Sequence, residues 1–403
     1  MTARLAGSRP PRLTSGRPVR VATVITRLEG GAGVLALRGA LAIDSSAIRP
    51  TIVTGSGGRL ADAAAAAGLE VIVEPALRAP IVPASDLRAL RRLEKMFRER
   101  NFDVVHTHCA KAGAVGRAAA RRAGVPRIVH TYHGFPFHEF QSMARRQIYL
   151  SIERRLGRIT DLALCVGAGV AAEAVRRELI APQRVMTIGV AVAGPDQMTA
   201  RDPAARRRAR KALGLPADAT VVGAVGRLTY QKAPEDFVAA VRGLDRPDLI
   251  GIWVGGGELA ERVGRLARAA PGPRVVLAGE RADVLDVLPA FDVFVLPSRY
   301  EGLPTAIVEA MVCGVPVVAT AVNAVSDLVV PGQTGMLVPP RRPQLLAAAI
   351  GYLLDSPAIA GRMAQTARAR VGDSYGALAL RDALAEAYAP AVPASGYLGQ
   401  PVR

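Results

Sequence analysis

The chain alternates short runs of β-branched residues with longer stretches built from Ala, Arg and Leu. In the first half, the runs at 19–26, 51–54, 71–73, 104–107, 127–131 and 162–166 predict strands. They are too short for helices and rich in Val, Ile and Thr, which suit a pleated, buried surface. Between them, 34–43 predicts a helix and 86–100 a basic amphipathic helix. The second half repeats the scheme, with strands at 220–225, 250–254, 274–278, 293–296 and 315–320 and helices in the gaps, then at 342–355 and 357–371. Strand–helix alternation of this kind means parallel sheets covered on both faces. The expected fold class is α/β, with two Rossmann-like parallel-sheet domains facing across a cleft.

The expected domains are 18–192 and 204–375, joined by a linker at 193–203 that contains Gly194, Pro195 and Pro203. Residues 1–17, rich in Arg, Pro and Ser, read as a disordered basic tail, and 376–403 as a C-terminal helix and tail. A signal peptide needs an apolar stretch after its charges, and none precedes Val19. No uninterrupted apolar run reaches about 18 residues, so no spanning helix is expected. In such open sheets, ligands sit outside the carboxyl ends of the strands, so residues just after strands are the ones to inspect.

Composition narrows the function classes. A chain of 403 residues, 50% of them hydrophobic, suits two domains better than one core. The net charge is +18 and nearly all of the positive charge is arginine; the lysines are Lys95, Lys111, Lys211 and Lys232. A basic surface attracts anionic headgroups, nucleic acid or phosphorylated substrates. Aromatic residues are only 4%, which disfavours a stacking platform for single strands. The arginines are spread along the whole chain, whereas nucleic-acid binding wants them gathered, so no nucleic-acid partner is expected. A basic binding protein is the less favoured alternative. Cys109, Cys165 and Cys313 are odd in number and far apart, which suggests neither a disulfide framework nor a zinc knuckle. The localisation expected is cytoplasmic.

Two stretches carry the chemistry. The first is Ser298-Arg299-Tyr300-Glu301-Gly302-Leu303-Pro304-Thr305-Ala306-Ile307-Val308-Glu309-Ala310, after the strand at 293–296. Pro304 stands where a helix begins, which suits its fixed φ and missing donor. The turn then offers free backbone N–H groups at a helix N-terminus, a good place for phosphate. Glu309 falls about one turn into that helix, where its carboxylate could accept hydrogen bonds from both ribose hydroxyls; the bland alternative is that both glutamates are solvated or serve the helix dipole. The second stretch is Gly226-Arg227-Leu228-Thr229-Tyr230-Gln231-Lys232, after the strand at 220–225. An arginine forks onto phosphate oxygens and a lysine adds a point charge, so a short loop can aim both at one diphosphate.

These two stretches resemble the donor-binding half of the retaining family 4 glycosyltransferases of the GT-B fold, over roughly 19–340. The resemblance implies that Arg227 and Lys232 bind the donor diphosphate and that Glu309 holds the ribose. It further implies that Glu301 and the backbone of Gly302, Leu303, Pro304 and Thr305 meet the donor sugar and phosphate. Arg281, in the loop Gly279-Glu280-Arg281, is similar to the family's nucleobase contact. It makes the first domain the acceptor side and the second the nucleotide-sugar side. The implied function is transfer of a hexosyl group from a UDP- or GDP-sugar, with retention. The cationic groups would replace a metal, so no cofactor is expected. A departure is Thr187-Ile188-Gly189-Val190-Ala191-Val192, where many relatives carry Pro-Asn-Gly-Val-Asp. A non-transferring enzyme of the same fold, such as a nucleotide-sugar epimerase, is the alternative.

The first half adds all five histidines: His106, His108, His130, His133 and His138. Such a cluster beside Cys109 could hold a transition metal, but no acid cluster completes a ligand set, so no metal is expected. The stretch His130-Thr131-Tyr132-His133-Gly134-Phe135-Pro136 is similar to the family's His-Gly segment, which makes His133 the candidate facing the donor sugar. The turn Glu29-Gly30-Gly31-Ala32-Gly33 is similar to the family's Gly-Gly turn, which puts Gly30 and Gly31 near the diphosphate. Taken alone, Gly31-Ala32-Gly33-Val34-Leu35-Ala36 also fits the dinucleotide fingerprint. That fingerprint wants an acid about 20 residues on, and none occurs between Asp44 and Asp62. Finally, 141–158 reads as a basic amphipathic helix, either a solvated domain surface or a dock on an anionic membrane. The preceding Phe135-Pro136-Phe137-His138-Glu139-Phe140 resembles polysaccharide-assembly members of the family, which points to a lipid-linked or cell-envelope acceptor.

Overall fold

The structure, a computed structural model, describes residues 17–43, 46–137, 141–189, 192, 202–269, 272–372 and 375–389. Its strands are β1 (Val19–Ile25), β2 (Ile48–Thr54), β3 (Glu70–Val73), β4 (Val104–His108), β5 (Arg127–Tyr132), β6 (Leu162–Cys165) and β7 (Val185–Thr187) in the first half. The second half supplies β8 (Thr220–Val225), β9 (Leu249–Val254), β10 (Arg274–Gly279), β11 (Val293–Leu296), β12 (Val317–Thr320) and β13 (Met336–Val338). The sheet orders are β3-β2-β1-β4-β5-β6-β7 and β10-β9-β8-β11-β12-β13, with parallel pairing in both. The central strands are buried along their length, as both-face covering by helices requires.

These orders decide where a ligand can go. Each sheet reverses direction once, between β1 and β4 in the first and between β8 and β11 in the second. The crevice at such a reversal is the natural binding point. The glycine turn follows β1, the histidine strand is β4, the Arg227–Lys232 loop follows β8, and the Glu301 loop follows β11. Most of the stretches singled out above thus fall at the reversals; His133 comes just after the neighbouring β5, and Arg281 just after β10 at the edge of the second sheet.

The two halves touch at these loops. A Cβ placed on Gly302 would come within 1.5 Å of the His133 carbonyl oxygen, and one on Gly31 would be 3.2 Å from the Thr305 hydroxyl. Farther along the interface, Asp327 accepts a 2.7 Å hydrogen bond from the backbone N–H of Gly169. The C-terminal helix Ala377–Tyr388 returns to the first half, where Leu384 packs on Gly39 and the Ala387 carbonyl accepts from Arg127 Nε.

Some boundaries differ from expectation. The first helix starts earlier, at Gly30, because Gly30 adopts a positive φ that lets the chain turn straight out of β1. Arg17, expected within the tail, is bound: its guanidinium lies 2.7 Å from Asp103. The strands β7 and β13 have three residues each, too few to show as runs in the sequence. Residues 1–16 and 390–403, nearly all of the expected linker, and His138 with its neighbours Glu139 and Phe140 lie outside the described residues.

Candidate active site

On the second-domain wall, the Arg227–Lys232 loop and the Glu301 turn are tied into one piece. Lys232 donates to Glu301 Oε1 at 2.6 Å, and Ser298 Oγ donates to the same oxygen at 2.5 Å. Gln231 reaches Glu301 Oε2 at 3.3 Å and the Tyr300 carbonyl at 3.1 Å. The Glu301 backbone N–H donates to Asn323 Oδ1 at 3.1 Å. The Arg299 guanidinium lies 4.2 Å from the Tyr230 ring centroid and donates to the Tyr230 carbonyl at 2.7 Å. A buried carboxylate with this many donors stays in one geometry, the condition for charge that must not reorganise during a reaction. Arg227, by contrast, is exposed: its carbonyl accepts from the Thr229 N–H at 2.9 Å, but its guanidinium makes no hydrogen bond or ion pair among the described residues.

The helix Thr305–Val312 starts directly after Pro304, which serves as its N-cap. No side chain caps this N-terminus, so its first N–H groups stay available for an anion, in line with the expected phosphate position. Glu309 lies one turn in, with its side chain 13% exposed and its Oε1 3.5 Å from Arg38 Nη2 on the first-domain helix Gly30–Ala42. Burial raises its carboxyl above the usual carboxylate range, with Arg38 pulling the other way.

The first-domain wall is built from rings. His106 and His108, two apart on β4, stack with centroids 4.2 Å apart. His108 Nδ1 is hydrogen-bonded to His133 Nε2 at 2.9 Å. His106 is hydrogen-bonded to Thr131 Oγ1 at 2.7 Å and to Tyr388 Oη at 2.6 Å. His130 pairs with the Thr107 hydroxyl at 2.8 Å. Burial pushes His133 down to about 4 and His106 to about 3, and drives His108 and His130 down as well. The rings therefore stand neutral at pH 7. Their hydrogen-bonded nitrogens go to one another and to hydroxyls, while His108 Nε2 is buried without a hydrogen-bond partner among the described residues. No group of three or more His, Cys, Asp or Glu side chains gathers around a metal-sized point among the described residues. Cys109 leaves the strand line with φ 64, because β4 ends at His108 and the chain turns there into a helix.

His133, expected to face the donor sugar, is hydrogen-bonded through Nε2 to His108, and its carbonyl is what meets Gly302. His108 is thus a partner of His133 as well as a packing residue. Arg281 forks onto Asp283 at 2.9 and 2.6 Å, so its guanidinium is already engaged two residues along its own loop.

Comparison with known proteins agrees with this geometry. Residues 29–193 match the family model described as Glycosyltransferase Family 4, and 219–356 match Glycosyl transferases group 1. The chain is 32% identical over 272 residues to the UDP-Gal:alpha-D-GlcNAc-diphosphoundecaprenol alpha-1,3-galactosyltransferase of Escherichia coli, covering 66% of this chain and 69% of that one. The chain belongs to glycosyltransferase family 4. It is also 32% identical over 339 residues to a D-inositol 3-phosphate glycosyltransferase of Thermobispora bispora, covering 76% and 75%. Among solved structures, this glycosyltransferase shares the GT-B fold with Anabaena HepE in complex with UDP-glucose, at TM-score 0.78 and 22% identity over 91% of this chain and 98% of that one. The nicotinamide-dinucleotide reading of the Gly31–Ala36 stretch is set aside by the family.

Several residues of the site went unremarked in the sequence. Ser298 and Gln231 lie inside the quoted stretches but had no role until their hydrogen bonds were seen. Asn323 carries a positive φ of 41, which an Asn tolerates, but its position relative to Glu301 has no local signal. Arg38 is one arginine in an arginine-rich chain, and Tyr388 comes from the far terminus.

Proposed function

We propose that this glycosyltransferase moves a hexosyl group from a UDP- or GDP-sugar to a lipid-linked or cell-envelope glycan acceptor, with retention and without a metal. The carrying observation is the Lys232–Glu301 pair beside the open helix N-terminus at Pro304 and Thr305, facing the Gly30–Gly31 turn. When the bond between the anomeric carbon and the diphosphate oxygen breaks, its electron pair stays on the diphosphate. Arg227, Lys232 and the N–H groups of Gly302, Leu303 and Thr305 stabilise that charge in the place of a divalent ion. The acceptor oxygen bonds to the same face, and its proton passes to the departing phosphate. Glu309 accepts the ribose hydroxyls, Glu301 and His133 face the sugar, and the loop of Arg281 meets the base.

The named acceptors of the relatives differ: a diphosphoundecaprenol lipid in one, an inositol phosphate in the other. The helix Met143–Arg158 favours the lipid-linked class. Its outer face exposes Met143 at 80%, Ile148 at 60% and Ile152 at 39%, among Arg145, Arg154, Arg155 and Arg158. Apolar side chains between cations suit an anionic membrane surface. No single helix among the described residues is long and apolar enough to cross a membrane. The enzyme would work as a cytoplasmic protein peripheral to the inner face of that membrane.

Isothermal titration against UDP and GDP, with and without EDTA, tests the donor reading. Micromolar binding of one nucleotide, insensitive to EDTA, is expected. Binding that needs a metal, or none at millimolar nucleotide, would overturn it. Product analysis with donor alone separates transfer from epimerisation.

A further inference from the structure

Glu301 is held wholly by its own domain, whereas the ionic partner of Glu309 comes from the other one. Arg38 lies two turns into the helix that begins at Gly30, and its Nη2 is 3.5 Å from Glu309 Oε1. The same pair of helices abuts at its start, where Gly31 faces Thr305. A nucleotide whose phosphates sit at Thr305 and whose ribose sits at Glu309 therefore lies along a seam with Arg38 at its far end. Arg38 Nη1 is buried and has no hydrogen-bond partner among the described residues. Buried guanidinium donors are rarely left this way, and an orphan in a native protein calls for a missing partner.

We propose that Arg38 is a positioning residue for the donor: from the first domain it aims the Glu309 carboxylate at the ribose hydroxyls of a nucleoside diphosphate. The proposal rests on the reading of Glu309 as the ribose ligand. A carboxylate offers lone pairs on two oxygens. Arg38 approaches Oε1 and leaves Oε2 for a diol, while Nη1 stays free to donate to a ribose oxygen. If the pair served only to close the domains, a close hydrogen-bonded fork would be the better solution, since a buried ion pair of loose geometry gains little over apolar packing. Cys313, one turn on, stays a neutral thiol, driven far up by burial and by Glu309 itself, and Arg38 is the cation that pulls the Glu309 carboxyl down.

The test separates the ribose role from mere closure. The full-length enzyme, Arg38→Ala and Arg38→Lys are titrated with UDP, GDP and the 2′,3′-dideoxy forms of both. Wild type should prefer the ribonucleotide that it binds over its dideoxy form by about tenfold or more. Arg38→Ala should lose about that preference, weakening the ribonucleotide while leaving the dideoxy form nearly unchanged, and Arg38→Lys should restore part of it. Equal weakening of both forms in Arg38→Ala, or no weakening of either, would overturn the proposal. A wild type that does not distinguish the two forms would instead remove the ribose reading of Glu309, and is recognised without any variant. If Arg38→Ala does not fold, Arg38→Gln, which keeps most of the side-chain length without the charge, gives the same comparison, with the same loss of preference expected and the same outcomes overturning the proposal.

Discussion

The second-domain wall concentrates ionic groups and the first-domain wall almost none. Glu301, Lys232, Ser298 and Gln231 form a hydrogen-bonded set that is complete before any ligand arrives. Across the cleft, His108 and His133 share one hydrogen bond as neutral rings, and Gly31 and Gly134 bring backbone rather than side chains to the interface. The difference follows from what each wall must do. A departing diphosphate needs fixed positive charge on one side. A sugar and an incoming hydroxyl need a close, uncharged surface on the other, because a second cationic wall would compete for the phosphate and pull the donor out of line.

The sharpest way to break this contrast is to remove charge from one wall and a ring from the other. Lys232→Ala should lower kcat/KM by about 10²–10³-fold, the usual cost of losing one preorganised donor to transition-state charge. It also strands Glu301 without its ion-pair partner. His133→Ala should cost clearly less, because the ring carries no charge to lose. Equal losses in steady-state assays with the donor sugar would end the division of labour.

Gly302→Ala attacks the contact between the walls. The new methyl would sit 1.5 Å from the His133 carbonyl oxygen, which is backbone and cannot swing away. Either the Glu301 turn or the His133 segment must shift. A misplacement of about 1 Å costs on the order of 10²-fold in rate, so that loss of kcat/KM is expected with an unchanged circular dichroism spectrum. An alanine enzyme of full activity would mean that the walls do not close this tightly when the donor is bound.

The contrast was only half legible in the sequence. The charged wall was readable because its members are local: Arg227 and Lys232 share a loop, Glu301 and Glu309 share a turn and helix, and each follows a strand whose apolar run is plain. Their convergence followed from strand order, which alternation alone predicts only as a class. The neutral wall was not readable in the same way. Five histidines in one window say nothing of which rings meet, and the His108–His133 bond emerges only from the fold. Arg38 and Glu309, and likewise His106 and Tyr388, are partners from distant parts of the chain, and no periodicity links them.

The neutrality of the ring wall has a consequence for stability. The unfolded His133 titrates near its ordinary value of about 6.5, but in the folded protein it resists protonation down to about 4. Below about pH 6.5 the unfolded chain therefore takes up protons that the folded one refuses, and stability drains away as the pH falls towards 4. It is fully present above that window. His133→Asn should remove up to about 2 kcal/mol of the loss between pH 7 and pH 5, measured as the difference in urea midpoints. The Asn amide can still meet His108. If the variant and the wild type lose stability in parallel, His133 is not held neutral by its surroundings.

The smallest effect tests how far the neutral wall extends behind the cleft. Tyr388, on the returning C-terminal helix, is fully buried, and its hydroxyl is 2.6 Å from His106 Nδ1. His106 in turn stacks on His108, which holds His133, so the last helix of the chain supports the first-domain wall through two rings. Tyr388→Phe keeps the ring and its packing and deletes one hydrogen bond, so it should cost about 1–2 kcal/mol in urea unfolding. Its effect on kcat/KM should be small, at most about threefold, because the bond lies two rings from the cleft and bears on His133 only through His106 and His108. Donor binding should not change, because Tyr388 bonds to His106 and touches none of the residues proposed to hold the nucleotide. A Tyr388→Phe enzyme that loses UDP or GDP affinity would show that the two walls are coupled through this helix, and that the separation drawn between them is a property of the resting structure alone.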